Sequence, residues 1–352
     1  MTSGAPEDPI QPPTGVPTLA DVARHANVST ATVSRCLNAP DKVGEATRNR
    51  VMAAVNELGY APNFNARALA AKRTNTIGAV IPTIENTIFA RGLQAFQEEL
   101  GRHGYTLLIA SSGYREDLEA EQIRSLVARG ADALLLIGYH RSAELYAFLE
   151  RRNVPALVAW AYDNHSDQPA IGFDNVAAMA ALGRQVMQLG HRNIGMISGR
   201  TPTNDRARDR VEGVRHAISE AGLPPANLVL LETQYGIEEG AEAFRELMAK
   251  APGTTAVLCA NDVLAVGALR AAKEMGLSVP DDISITGFDD IELATLAEPA
   301  LTTVHVPHRE MGRRSAQMLV SMVSGDSAQT RVELSTDIRL RQTLGPPPTR
   351  RR

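Results

Sequence analysis

The pattern of apolar positions changes near residue 76 and divides the chain into two parts. Beyond that point, near-continuous apolar runs alternate with stretches whose apolar residues recur at helical spacing. The strand-like runs begin at Ile77, Tyr105, Ala133, Pro155, Ile194, Leu228, Ala256 and Ile283, and the helices between them are predicted at 89–100, 117–128, 176–189, 211–221, 237–248 and 262–275. Apolar strands separated by helices predict parallel sheets that are covered on both faces. There are too many units for one sheet, so the pattern predicts two doubly wound α/β lobes facing each other.

The first part of the chain predicts three short amphipathic helices. Thr18 and Ser29 are suitable N-caps for the first two, and Asp21 stands at capping-box spacing from Thr18. The second and third helices are predicted at 30–37 and 45–58, followed by Gly59 in the place of a left-handed C-cap. Two capped helices joined by a short turn indicate an all-α helix-turn-helix, and a plain three-helix bundle is the alternative.

Charge supports the first interpretation. The chain carries a net charge of −4, so any contact with nucleic acid must be local. Between residues 18 and 73 the basic residues are Arg24, Arg35, Lys42, Arg48, Arg50, Arg67, Lys72 and Arg73. The acidic residues there are only Asp21, Asp41, Glu45 and Glu57. The second helix presents small or polar side chains in its first turn and Arg35 one turn later, which suits entry into a major groove and pairing with guanine.

An Ala-rich piece, residues 64–72, follows this module. It is too short to be a stable isolated helix, and its sole large aliphatic residue is Leu69. Such a segment could fold when docked in a minor groove, with Leu69 wedged between base steps. An ordinary linker is the equal alternative.

The runs DVARHANVSTATVSRCLN, ATRNRV and ELGYAPN resemble the DNA-binding region of the LacI/GalR family of bacterial repressors. The resemblance implies that Thr30, Ala31 and Arg35 face bases and that Leu69 is the minor-groove wedge. It further implies a hinge contact from Arg67 and phosphate contacts from Thr18, Ser29, Ser34, Asn38, Thr47, Tyr60 and Asn63. Gly44 departs from the Ser that usually caps the third helix, at a cost of a few tenths of a kcal/mol.

Polar side chains follow three strands of the second part. Arg206 and Arg210 come after the strand that ends near Ser198, and their spacing places them on one helical face, where they could clamp a carboxylate or phosphate. The alternative is a solvated helix start in which Asp205 and Asp209 pair with these arginines. The pairs Asn261-Asp262 and Asp289-Asp290 suit hydroxyl-rich ligands beyond strand ends, and each alone is more often a helix N-cap, a role that fits Asp262.

The family resemblance continues through GHRNIGMISG, ANDVLAVGAL, GLSVPDDISITGFDD and PALTTVHVPHREMG, and so covers nearly the whole chain. It implies an effector-binding core shaped like periplasmic sugar-binding proteins. By position, the effector-binding residues would be Phe89, Trp160, Asn204, Arg206, Arg210, Asn261 and Asp289. Trp160 stands where several members have an Asp that binds sugar hydroxyls. The replacement argues against a simple neutral sugar as effector and suggests that the ligand stacks on the indole ring. The segments NTIFARGLQAFQEELGRHGYTLLIASSGYREDLEAEQ and AIGFDN look most like the gluconate-repressor branch, so a sugar acid such as gluconate is the expected effector.

These observations predict five segments: a disordered leader at 1–17, the headpiece at 18–62, a hinge helix and linker at 63–75, the two-lobed effector-binding and dimerisation core at 76–343, and a disordered tail at 344–352. One recognition helix reads few base pairs, so a homodimer on a near-palindromic operator is expected. As in the family, exposed helices of the first lobe would supply the interface. The tail has no leucine heptads, so no tetramerising coiled coil is expected.

Other classes of protein find less support. Cys36 and Cys259 show no metal-ligand spacing and are expected to pack as small apolar residues, and most histidines are expected at the surface. The chain has no phosphate loop, H-E-x-x-H or G-x-S-x-G motif, so no cofactor, metal or catalysis is expected. The first seventeen residues are no signal peptide, and no apolar run reaches membrane-spanning length, so a cytoplasmic protein is predicted. The alternatives are a solute-binding protein of a sugar uptake system and an enzyme of the doubly wound class.

Overall fold

The computed structural model describes residues 16–61, 73–85, 87–326 and 329–349. It divides into two units, Met1–Thr74 and Asn75–Arg352. Within the described residues, none of the helices combines the length and the apolar character needed to cross a bilayer.

The first unit is a headpiece of three helices. They are α1 (Leu19–His25), α2 (Thr30–Asn38) and α3 (Glu45–Leu58), with a short 3₁₀ turn at Pro40–Lys42. The expected capping box is present: the Asp21 carboxylate accepts from the Thr18 backbone N–H at 2.9 Å and the Thr18 hydroxyl accepts from the Asp21 N–H at 3.3 Å. Ser29 caps α2, and Gly59 ends α3 at φ 61°. Gly44 precedes α3 without a side-chain cap, as its lack of a hydroxyl requires.

The headpiece closes around one small core. Val22, Val33 and Val51, one from each helix, are fully buried. Cys36 packs with them as a free thiol, in the apolar role expected of it. This core is what holds the outer face of α2 in place.

The second unit alternates strands and helices. In chain order these are β1 (Thr76–Ile81), α4 (Thr87–Arg102), β2 (Thr106–Ser111), α5 (Glu116–Ala128), β3 (Ala133–Ile137), α6 (Ala143–Arg151), β4 (Ala156–Ala159), β5 (Ala170–Gly172), α7 (Asn175–Gln188), β6 (Ile194–Gly199), α8 (Asp205–Glu220), β7 (Leu228–Thr233), α9 (Ile237–Lys250), β8 (Ala256–Cys259), α10 (Asp262–Glu274), β9 (Ser284–Asp289), α11 (Glu292–Leu296), β10 (Thr302–His305), α12 (His308–Ser324), β11 (Arg331–Glu333) and β12 (Asp337–Arg339), with a short 3₁₀ turn at Pro225–Asn227. Strands β1, β3 and β8 are buried along their whole length, as the apolar runs predicted.

The strands form two six-stranded sheets. The first lobe has the order β11-β5-β4-β3-β1-β2 and is parallel throughout, and the second has the order β12-β10-β9-β8-β6-β7, in which only β12 is antiparallel. The chain passes between the lobes after β5, after β10 and after β11. The predicted pair of doubly wound lobes is confirmed, and the carboxyl ends of both sheets are available to line a cleft.

Several boundaries differ from the prediction. Helix α8 begins at Asp205, six residues before the predicted start, because Asn204 caps it with an oxygen that accepts from the Ala207 N–H at 3.3 Å. Strands β5, β11 and β12 were missed because three residues are too few to give a pattern.

Residues 344 and 345, which were predicted to begin a disordered tail, make defined contacts. Leu344 packs against the core, and the Gly345 carbonyl accepts hydrogen bonds from His191 at 2.8 Å and Ser284 at 3.2 Å. These contacts hold residues 344 and 345 on the second lobe, so a disordered tail cannot start at residue 344.

Candidate functional sites

The outer face of α2 carries the residues predicted to face bases. Thr30, Ala31 and Arg35 are all exposed, whereas Val33 and Cys36 on the opposite face are buried. The hydroxyl of Ser29 at the start of this helix is engaged as the N-cap, accepting from the Thr32 N–H at 3.2 Å. A side of the helix with small residues in its first turn and a cation one turn later can approach base edges closely.

The described residues predicted to contact phosphates come from all three headpiece helices or their ends. Thr18, Asn38 and Thr47 stand at or near the first turn of α1, the end of α2 and the first turn of α3, and each is at least partly exposed. Ser34 accepts a hydrogen bond from the Asn38 amide at 3.3 Å, and Tyr60 packs partly against the headpiece core. Asn63, Arg67 and Leu69 lie outside the described residues, as does the hinge helix predicted to carry the last two.

Charge on the headpiece favours a polyanion. No described acidic side chain lies within ion-pair distance of Arg35, whereas Arg24 on α1 is 3.0 Å from Asp21. An exposed guanidinium with no acidic neighbour need not break an ion pair before it binds a phosphate or a guanine.

The second candidate site lies between the lobes of the core. One small cavity brings together all seven residues predicted to bind an effector. Its lining is Ile88, Phe89, Tyr114, Trp160, Asn204, Arg206, Arg210, Tyr235, Asn261 and Asp289. The cavity measures about 20 Å³, which is room for about one water molecule.

Two polar groups of this cavity have unused hydrogen-bonding capacity. Asp289 is fully buried at φ 103°, and neither of its carboxylate oxygens has a hydrogen-bond partner among the described residues. The Asn261 side chain caps α10 through its oxygen, which accepts from the Leu264 N–H at 2.9 Å, while its amide nitrogen has no described partner. Buried polar atoms without partners are costly, so their presence together in a cavity points to a ligand.

Asp262 holds the loop that carries Asp289. Asp262 was expected to be the N-cap of α10. It is instead the first residue of that helix, and Asn261 is the N-cap. The Asp262 carboxyl group accepts from the Ile291 N–H at 2.8 Å and from the Thr303 hydroxyl at 2.5 Å. Burial raises the pKa of Asp262 well above its usual value, outweighing the hydrogen bond from Thr303.

Arg210 is bound to the protein around the cavity. Its Nε donates to the Asn175 side chain at 2.9 Å, one terminal nitrogen donates to the Ala260 carbonyl at 2.6 Å, and the other lies 3.6 Å from Asp289. The guanidinium also stacks 3.8 Å above the Phe288 ring. Arg210 therefore connects Asn175 and Ala260 around the cavity and places a positive charge 3.6 Å from the Asp289 carboxylate.

Arg206 is held by its neighbour Asp205 at 3.0 Å, and Asp209 lies 3.8 Å from Arg208. Burial by itself raises the pKa of Asp205, but the Arg206 charge and backbone N–H groups outweigh it and hold that pKa below its usual value. The predicted alternative was a solvated helix start in which Asp205 and Asp209 pair with Arg206 and Arg210. Only the pair of Asp205 with Arg206 is present, and it is buried rather than solvated, while Arg210 lies nearest to Asp289.

Trp160 forms the first-lobe wall of the cavity. It is 1% exposed and meets Phe89 edge to face, with ring centroids 5.5 Å apart. Its Nε1–H donates to His308 Nδ1 at 3.1 Å. The indole is therefore packed into the wall rather than presented as an open platform.

Sequence reasoning missed Tyr114 and Tyr235. They follow β2 and β7, one in each lobe, and their rings lie 5.5 Å apart. Together with Asn204 they also line a cleft of about 1080 Å³ outside the small cavity. Because both tyrosines follow the carboxyl ends of strands, the same rule that pointed to Asp289 applied to them.

Comparison with known proteins identifies the family to which this chain is similar. The model of the bacterial regulatory proteins of the lacI family matches residues 18–63, and that of the periplasmic binding protein-like domain matches residues 184–344. The HTH-type transcriptional repressor CytR of Escherichia coli (strain K12) is 34% identical over 309 residues, 88% of this chain and 90% of its own. The chain belongs to the lacI family of bacterial regulatory proteins.

Two further relatives bear on function. The HTH-type transcriptional regulator GntR of Escherichia coli (strain K12) is 32% identical over 311 residues, 88% of this chain and 93% of that protein. The crystal structure of the lac repressor dimer bound to operator and an anti-inducer superposes with a TM-score of 0.82 at 28% identity, covering 94% of this chain and 100% of the other. This lacI-family chain is thus a DNA-binding transcriptional regulator with a headpiece and a two-lobed effector core.

Proposed function

We propose that the chain represses transcription by binding an operator through α2, and that a sugar or sugar acid in the interlobe cavity controls this binding. The observation that carries the proposal is that the Asp289 carboxylate oxygens and the Asn261 amide nitrogen lie in one cavity without a hydrogen-bond partner among the described residues. Together they offer an acceptor and a donor for hydroxyl groups in a buried place. On this proposal the chain is no enzyme and works in the cytoplasm, where bacterial operators lie.

A sugar acid such as gluconate fits this cavity better than a neutral hexose. Its hydroxyls would satisfy Asp289 and Asn261, and its carboxylate would meet Arg206, which donates from one terminal nitrogen to Asp205 and lines the cavity. The similarity to the relative GntR, and the segments that resemble the gluconate-repressor branch, favour the same effector.

The cavity must enlarge to hold such a molecule. About 20 Å³ is far below the ~300 Å³ of a small ligand site, so the described conformation is contracted. The cleft beyond Tyr114 and Tyr235 provides the entry path because these residues line both spaces. Binding therefore changes the distance between the lobes, and this change can alter how paired headpieces meet the operator.

A homodimer is the expected functional form. A dimer places two recognition helices on the two halves of a near-palindromic operator. The outer edge of β2 in the first lobe has no strand partner among the described residues and leaves Ile109 46% exposed. We place the dimer contact at this edge together with the neighbouring exposed helices, where pairing would cover both the apolar side chain and the open strand.

Two assays test the proposal. In a gel shift, the purified protein should retain DNA from upstream of its own gene in preference to random duplex of the same length. In a thermal-shift screen, gluconate should raise the melting temperature more than glucose or galactose does. Stabilisation by neutral hexoses alone would contradict the sugar-acid effector and leave the regulator role standing.

A further inference from the structure

A buried hydrogen-bond chain joins the two lobes behind the candidate cavity. Trp160 donates its indole N–H to His308 Nδ1 at 3.1 Å, and His308 Nε2 lies 3.1 Å from the backbone carbonyl of Asp289. Trp160 follows β4 in the first lobe, His308 opens α12, which packs on that lobe, and Asp289 ends β9 in the second. The three residues are 1%, 4% and 0% exposed, so water does not compete for these bonds.

The chemistry of the partners fixes the state of the imidazole. An indole N–H can only donate and a carbonyl can only accept, so His308 must accept at Nδ1 and donate at Nε2. Only the neutral ring with its proton on Nε2 does both. An imidazolium carries protons on both nitrogens and therefore loses the bond to Trp160.

Both residues at the ends of this chain have unusual backbones. Trp160 lies at φ 61° and Asp289 at φ 103°, a region that non-glycine residues rarely occupy. Such conformations persist only where surrounding contacts hold them, and they concentrate at functional sites. His308 is a side chain that contacts both.

The packing around the indole leaves it little freedom. A Cβ on Gly92 would lie 2.6 Å from the Trp160 ring, so only glycine fits at that point of α4. The Trp160 backbone N–H donates to the Met311 sulfur at 3.3 Å, and its carbonyl accepts from the Asn175 amide at 3.1 Å. Asn175 in turn accepts from Arg210, so the cavity wall and its cation share one network.

We infer that His308 is a positioning residue for the effector cavity, which sets the Trp160 wall of the first lobe against the Asp289 carboxylate of the second. The inference rests on the proposed function for the role of the cavity, but its geometry stands apart from the identity of the effector. Loss of the His308 bonds should loosen both walls and weaken effector binding without removing a group that touches the effector.

Protonation of His308 should have the same effect as mutation. The groups that face it are Asp289, which favours its charged form, and Arg210 and His305, which oppose it. From the first lobe, Gly92 of α4 and Trp160, which follows β4, lie against His308, and neither carries a charge. Burial is the largest influence and lowers the pKa of His308, so the bridge is intact at neutral pH and breaks on acidification.

The chain's one tryptophan provides a direct readout, because all indole emission comes from Trp160. Emission and gluconate affinity are measured for the full-length protein and for H308Q, H308L and H305Q, from about pH 8 to about pH 5, with circular dichroism as the control for folding. Gln matches the acceptor and donor of the neutral imidazole but does not titrate. His305 is the nearby histidine that pairs with Asp290 at 2.9 Å and makes no bond to Trp160.

At the upper pH, H308L should shift the emission maximum and weaken gluconate binding about tenfold or more, because it leaves the indole and the carbonyl unpaired. H308Q should resemble the wild type there and should lose the change in emission that acid produces in the wild type and in H305Q. The inference is overturned if H308L leaves both emission and affinity unchanged, or if H308Q titrates as the wild type does. Failure of every protein to bind gluconate would refute that effector alone, since the emission series still decides the role of His308.

Discussion

The Asp205 carboxylate of the second lobe accepts a hydrogen bond from the backbone N–H of Tyr139 in the first lobe. Asp205 opens α8, and Tyr139 follows β3, so the bond crosses the cleft at the rim of the candidate cavity. Gly138 lies beneath it at φ 72°, where a Cβ would overlap both Asp205 and Arg206. This contact links the two lobes directly.

Replacing Gly138 with Ala should separate the lobes at this point. The new methyl group has no room beside Asp205, so the Tyr139 amide should lose its acceptor and exchange its hydrogen faster. Amide hydrogen exchange followed by mass spectrometry on the segment containing Tyr139 measures this. Gly104 is the matched control, because it has a similar φ of 76° but open space around its Cβ. Equal protection of Tyr139 in G138A and G104A would show that the contact does not hold the lobes together.

Replacing Asp205 and replacing Asp209 with asparagine should change the free energy of unfolding in opposite directions. The pKa of Asp205 is lowered, so its carboxylate stabilises the fold at neutral pH, and D205N should reduce the free energy of unfolding by about 1–3 kcal/mol. Burial raises the pKa of Asp209 to about 6, so ionisation of Asp209 costs stability above that pH. D209N should therefore stabilise the protein at neutral pH.

Urea denaturation at several pH values distinguishes the two effects. The stabilisation by D209N should shrink as the pH falls through about 6 and vanish below the ordinary aspartate range, where the wild-type carboxyl is protonated in both states. The destabilisation by D205N should persist until the pH falls below the ordinary aspartate value. A constant effect of D209N across this range would contradict the assigned ionisation.

In the headpiece, Arg35→Ala should remove sequence preference without unfolding the domain. Arg35 is exposed on the outer face of α2, so its loss costs no packing, and a lost guanine contact is worth about 1–3 kcal/mol of discrimination. Fluorescence anisotropy with operator and random duplex provides the measurement. Arg24→Ala, an exposed arginine on α1, should leave the ratio of the two affinities nearly unchanged. A lower affinity for both duplexes by the same factor in R35A would assign Arg35 to phosphate rather than to base.

The sequence predicted the parts of this molecule whose signals are local. The caps at Thr18 and Ser29, the left-handed Gly59 and the strand-end positions of Asn261 and Asp289 all follow from short patterns. The start of α8 did not, because the apolar repeat begins at Val211 while the charged first turn depends on the Asn204 cap.

Contacts between distant segments were beyond sequence reasoning. Most histidines were expected at the surface, but His191 and His308 are buried because tertiary partners satisfy both of their ring nitrogens. The stacking role expected of Trp160 presumed an open ring face. The structure instead packs that ring against Phe89 and His308, which lie far from it in sequence.

The central claim is that a ligand of the interlobe cavity changes affinity for operator DNA. The most direct measurement is the anisotropy of labelled upstream DNA titrated with wild type and with Asp289→Asn, each with and without gluconate. Gluconate should change the wild-type dissociation constant by about 5-fold to 150-fold, whereas D289N should bind the DNA without ligand as tightly and respond far less. The account would be contradicted if the wild type bound the upstream DNA no more tightly than random duplex. It would also be contradicted if gluconate left the wild-type dissociation constant unchanged.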